Sequence, residues 1–119
     1  MDVVERELRV LVSEDDTSGF EEWFKSIRDT ATRLRVRARL TRVQNGNFGD
    51  HKIFSGGIGE LRLDFGPGYR VYFVQDGPVV VFLLVGGDKS TQFVDIRAAR
   101  QLWEENQDEN ERLQRNIRI

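Results

Sequence analysis

The 119-residue chain contains no cysteine, one histidine, two prolines and two tyrosines. Without cysteine there are no disulfides and no thiolate metal sites. A lone histidine, His51, would need several carboxylate or backbone ligands beside it to hold zinc, so no metal and no cofactor is expected. No apolar run approaches the roughly 18 residues of a membrane span. The first ten residues, MDVVERELRV, are charged from the second position onward and do not read as an export signal. A cytoplasmic protein is the expectation. An excess of positive charge is also missing: 18 basic residues face 20 acidic ones, for a net charge of −2. That balance argues against coating nucleic acid by bulk electrostatics.

What charge there is lies unevenly along the chain. Residues 1–24 hold two basic residues and eight acids, residues 25–70 hold ten and four, and residues 71–119 hold six and eight. An anionic partner should therefore meet the middle third. The length suits a single domain that buries about two-thirds of its unfolded surface.

Periodicity supplies the elements. Leu8, Val10 and Val12 alternate in a first strand, closed by the acidic turn SEDDTSG. Ser18 followed by Glu21 is a capping-box pattern, and Phe20, Trp23, Phe24 and Ile27 recur at helical spacing, which predicts a helix over about 18–28. The stretch RLRVRARL, residues 33–40, alternates arginine with apolar residues and reads locally as a strand. Over the window 27–43 a helix accounts for more residues. Ile27, Ala31, Leu34 and Ala38 then gather on one side, Val36, Leu40 and Val43 on the opposite side, with arginines in the seams. QNGNFGD supplies the stop. Downstream, ELRLDF, YRVYFV and VVVFLLV, separated by GPG and DGP, predict a three-strand antiparallel meander whose last, unalternating strand is central and covered on both faces. Phe93, Ile96, Ala99, Leu102 and Trp103 predict a C-terminal helix, after which the acidic, polar tail is expected to be helical or frayed.

Three runs in order, GNFGDHK, GIGELRLDFGPGYRVYF and LLVGGDKSTQ, followed by DI and A, resemble the RelE/ParE toxin superfamily of bacterial toxin–antitoxin modules. The likeness is greatest to its HigB-like branch of addiction-module killer proteins and covers about residues 18–103. The resemblance implies an α+β fold: a RelE-like small domain with an N-terminal strand, a two-helix hairpin, the meander and a C-terminal helix. The domain would span residues 1–103, with 104–119 as an extension. It further implies the toxin of a type II module, acting as a ribosome-dependent, metal-independent endoribonuclease on mRNA and held inactive by a cognate antitoxin in a hetero-oligomer. ParE members, the alternative, inhibit DNA gyrase by protein binding.

Carried over residue by residue, Arg70 in GYR corresponds to the strand arginine on the scissile phosphate. Arg62, Lys89 and Lys52 complete the cationic set. A guanidinium can hold two phosphate oxygens, whereas a lysine at 89 keeps the charge without the fork. The tyrosine that RelE carries near its C-terminus has no counterpart, since Phe93 lacks a hydroxyl. Tyr72, on the face of Arg70 by strand parity, and His51, the chain's single imidazole, remain as candidate catalytic groups. The plainer reading of Arg62 is a surface ion pair with Glu60 or Asp64, worth about 0–1 kcal/mol; that of His51 is a solvated loop residue. The Val36, Leu40 and Val43 stripe is the expected antitoxin-binding surface, with the internal core as the alternative. A binding module that has lost its toxicity is a third reading of the whole chain.

Overall fold

The computed structural model describes residues 4–119; residues 1–3 of the expected 1–103 domain lie outside the described residues. Six strands and three α-helices follow one another as β1 (Glu7–Leu11), α1 (Gly19–Ser26), α2 (Thr30–Gln44), β2 (His51–Ile53), β3 (Ile58–Arg62), β4 (Tyr69–Asp76), β5 (Val80–Asp88), α3 (Gln92–Glu105) and β6 (Gln114–Asn116). The expected meander is β3–β4–β5, joined by antiparallel pairing. The sheet is larger than that, with order β2-β3-β4-β5-β1-β6. β5 is central, and its second neighbour is β1, the one parallel partner, aligned Leu8 to Val81 and Val10 to Leu83.

Helix boundaries follow their caps. Ser18 Oγ accepts the Glu21 amide at 3.0 Å and Asp29 accepts that of Thr32 at 3.3 Å, which starts α1 and α2 in consecutive turns. Glu21 does not complete the capping box, because its carboxylate is bonded to Arg115 instead.

Both faces of the sheet are covered, giving two apolar layers. On one face Leu8, Val10, Leu61, Val71, Phe73, Val81 and Leu83 meet Phe20, Phe24 and Ile27 together with Val36, Leu40 and Val43 of α2. On the other, Ile58, Tyr72, Val74, Phe82 and Leu84 lie under α3, with Ala99 at the contact and Trp103 on Phe82.

This settles which stripe of α2 is internal. Val36 and Val43 are 0% exposed and Leu40 2%, so the stripe expected to bind an antitoxin is core, while Leu34 of the opposite stripe is 55% exposed. The bulkier stripe packs on the sheet because it fills more of the interlayer space, and Ala31 and Ala38 are left facing solvent. Among the four arginines of RLRVRARL only Arg39 turns inward, donating to the carbonyl oxygens of Arg62 at 2.5 Å, Phe48 at 2.7 Å and Asp50 at 2.7 Å.

The tail does not fray. After α3 the chain passes through a short 3₁₀ turn and adds β6 antiparallel to β1, with Leu11 opposite Gln114. Arg115 is bonded to Glu21 and Asp16, Arg112 to Asp76, and Ile117 and Ile119 pack on the first apolar layer. No described helix is long and apolar enough to cross a membrane.

Candidate functional site: a carboxylate held between two arginines

Strand parity puts Glu60 and Arg62 of β3 on the α3 face of the sheet, opposite Tyr72 and Arg70 of β4. α3 covers only part of that face, and the uncovered end, next to the start of α3, is where the charged side chains meet. Glu60 is their centre. Its side chain is 0% exposed, and its two oxygens have different partners. Oε1 accepts Arg62 Nε at 3.0 Å and lies 3.9 Å from Arg70 Nε. Oε2 accepts the Tyr72 hydroxyl at 3.1 Å and Gln92 Nε2, from the first turn of α3, at 2.7 Å. One oxygen thus offsets the two cations and the other is satisfied by neutral donors, which a buried charge requires.

The two arginines differ in freedom. Arg70 is nearly buried, and its Nη1 donates to the carbonyl oxygens of Gly68 and Tyr69, both at 3.0 Å. Arg62 is about one-third exposed, and after the bond to Glu60 its two terminal nitrogens have no protein acceptor among the described residues. The bond to Glu60, followed by the charge of Glu60, holds the Arg62 guanidinium above its ordinary pKa, so it is always charged. Lys89 joins them. A Cβ built on Gly68 would lie 2.9 Å from Lys89 Cγ and Cδ and 3.5 Å from Arg70 Nη1, so the lysine stem crosses the Gly68 turn beside Arg70. Gly68 has φ +77°, which suits glycine, and its missing side chain is what lets the lysine pass.

The other candidates are placed differently. Lys52 is exposed on the edge strand β2, directly opposite Glu60 and so in the cross-strand row of Tyr72, with Nζ over the Phe54 ring at 5.1 Å. Tyr72 shares the face of Arg70 but is 0% exposed, the floor beneath Glu60 rather than a surface group. Burial, then the adjacent Glu60 charge, pushes its hydroxyl pKa far up, so it does not act as a base near neutrality. His51 is not in the cluster: it pairs with Leu61 on the α1–α2 face, its ring tilted against Phe48 with centroids 5.5 Å apart, and with Nδ1 2.9 Å from the Gly49 carbonyl. The amide of Ser90 in GGDKSTQ is taken by the Asp88 carboxylate at 2.8 Å.

Two members of the cluster escape a sequence reading. Glu60 reads as the polar side of an alternating strand, and Gln92 as a helix-start residue. The available signal is a charged position in a strand whose both faces are needed, one by the helical hairpin and one by the C-terminal helix.

No family model matches the chain. An uncharacterized protein of Haemophilus influenzae is 46% identical over 89 residues, an alignment covering 75% of this chain and 90% of that protein. At that identity and coverage, the chain belongs to the same family as the Haemophilus influenzae protein.

Proposed function

We propose that the chain is a RelE/ParE-type toxin of the HigB-like branch, from a type II toxin–antitoxin module, and that it cuts mRNA on the ribosome. The observation that carries this reading is the pairing of Arg62 with Arg70 across β3 and β4, anchored by buried Glu60 and flanked by Lys89. Two like charges directly opposite each other on a sheet are destabilising unless something offsets them. Here one buried carboxylate does so while leaving both terminal nitrogens of Arg62 without a protein acceptor, the arrangement a phosphate needs. Phe93, 75% exposed one residue after Gln92, adds an aromatic face on which a base can stack.

In the reaction the 2′-hydroxyl attacks the adjacent phosphorus as the bond to the 5′ oxygen breaks. The products are a 2′,3′-cyclic phosphate and a free 5′-hydroxyl. Arg62, Arg70 and Lys89 stabilise the negative charge that builds on the phosphoryl oxygens, with Glu60 fixing the orientation of the arginines. No residue of the chain is assigned as general base.

The gyrase-inhibitor reading is favoured by one specific observation: neither Tyr72 nor His51 can serve proton transfer beside Arg62. Induction of the chain in bacteria, with mapping of new 5′ ends in total RNA, separates the two. In-frame mRNA cuts and growth arrest are expected, with growth restored by co-expression of the antitoxin. Arg62→Ala should keep the fold and lose the arrest, since one preorganised contact of this kind is worth about 2.7–4 kcal/mol in the transition state, a hundredfold or more in rate. A DNA-damage response without RNA cuts selects the gyrase reading, and normal growth with folded protein present removes both.

A further inference from the structure

α2 carries five arginines and no acidic residue. Arg39 serves the interior. Among the described residues, none of Arg33, Arg35, Arg37 and Arg42 forms an ion pair with a carboxylate. Arg35 is stacked over Phe65, 4.0 Å from the ring centroid, and Arg37 over Phe24 at 5.3 Å, so two guanidiniums are held at fixed places on opposite flanks of the helix. Between the flanks runs an apolar strip, Ala31, Leu34 and Ala38, with Leu34 55% exposed. Its spacing of three and four residues is that of a helix–helix seam, and the two alanines admit close approach of another backbone. A groove of about 550 Å³ lies along the Arg37 flank, lined by Phe24, Lys25 and Arg33 among others, and one of about 570 Å³ along the Arg35 flank, reaching Arg42 and Phe65.

Like charges three to four residues apart on one helix repel, and an exposed leucine between them gains nothing from water. A single kind of partner relieves both. We infer that the outer face of α2 is the docking surface for an acidic amphipathic helix of a partner protein, whose apolar seam covers Ala31, Leu34 and Ala38 and whose carboxylates reach Arg37 on one side and Arg35 and Arg42 on the other. Nucleic acid would engage the arginines and leave the apolar strip uncovered. The inference does not depend on the toxin reading, because α2 packs on the sheet face opposite Glu60, although the groove on its Arg35 flank also reaches Arg62.

The test is fluorescence anisotropy on the full chain with a labelled three-heptad peptide, leucine at its seam positions and glutamate at the flanking ones, beside a scrambled peptide and a single-stranded oligouridine. Binding of the seam peptide at roughly micromolar Kd is expected. It should weaken about tenfold or more, each tenfold being about 1.4 kcal/mol, in Leu34→Asp and in the double variant Arg35→Glu with Arg37→Glu. Arg97→Glu, on exposed α3, should leave it unchanged. Leu34, Arg35 and Arg37 are all exposed, so circular dichroism should show an intact fold. Binding no tighter than the scrambled peptide, or insensitive to Leu34→Asp, overturns the inference. So does oligouridine binding lost with the arginines but kept in Leu34→Asp, which gives the face to RNA, or self-association abolished by Leu34→Asp, which gives it to a second copy.

Discussion

Glu60 shows how much one side chain can organise. It is withdrawn from water, yet three donors on two strands and a helix hydrogen-bond its two oxygens, and the Arg70 guanidinium lies 3.9 Å away. Replacing it by glutamine keeps the shape and removes the charge, so Arg62 and Arg70 would oppose each other uncompensated. Glu60→Gln should cost on the order of 3 kcal/mol in urea unfolding, the range seen when one partner of a buried pair is removed; a loss under about 0.5 kcal/mol, the level of an ordinary surface change, would show that the carboxylate does not hold the arginines. Parity alone brings Arg62 and Arg70 to one face, and that much of the site is legible in the residues. Depth is not, because alternation assigns a face without saying what covers it, so Tyr72 reads as an accessible group although α3 closes over it. The face of His51 is illegible for a different reason: β2 is three exposed residues, too short to declare a face.

At the scale of elements, the approach of α3 to β5 decides whether Gln92 reaches Glu60. Gly87 makes that approach possible: a Cβ there would lie 1.8 Å from Asp95 Oδ2 and 2.8 Å from Thr91 Oγ1. Gly87→Ala should therefore push the first turn of α3 outward, break the Gln92 bond and destabilise the fold by about 1–3 kcal/mol, the usual range for overpacking. Amide exchange in residues 91–95 should speed up while β1 exchanges unchanged; equal protection throughout would rule this out. α1, α2, α3 and the meander are readable because caps, breaks and periodicity agree over long stretches. The orientation of α2 is not, since both its stripes are apolar. The difference in bulk between valine or leucine and alanine is the signal that separates them.

Across the whole molecule, β6 joins the far end of the chain to its beginning. Arg115 bonds the buried carboxylate of Glu21 through two nitrogens, at 2.8 and 2.5 Å, and Asp16 Oδ1 at 2.8 Å; the Arg118 amide adds 2.7 Å to Glu21. Burial by itself would raise the Glu21 pKa, but the bonds from Arg115 and Arg118 outweigh it and hold the carboxyl below its ordinary value. A depressed carboxyl stabilises the fold fully above its unfolded pKa of about 4.3, and that share is lost as pH falls through the folded value. Arg115→Ala should cost about 3 kcal/mol near pH 7, and the gap from the unaltered protein should narrow below about pH 4; a gap constant with pH would mean that packing, not charge, is responsible. QRN carries no strand signal of its own, so β6 is illegible locally: its place is set by contacts about a hundred residues away.

The pairing of β1 with β5 and β6 also sets a schedule for the protein's synthesis. β1 cannot take its inner neighbour until residues 80–83 have been made, and its outer edge stays open until residues 114–116 follow. During translation that strand has unpaired backbone groups on both sides, the condition under which nascent chains depend on chaperones.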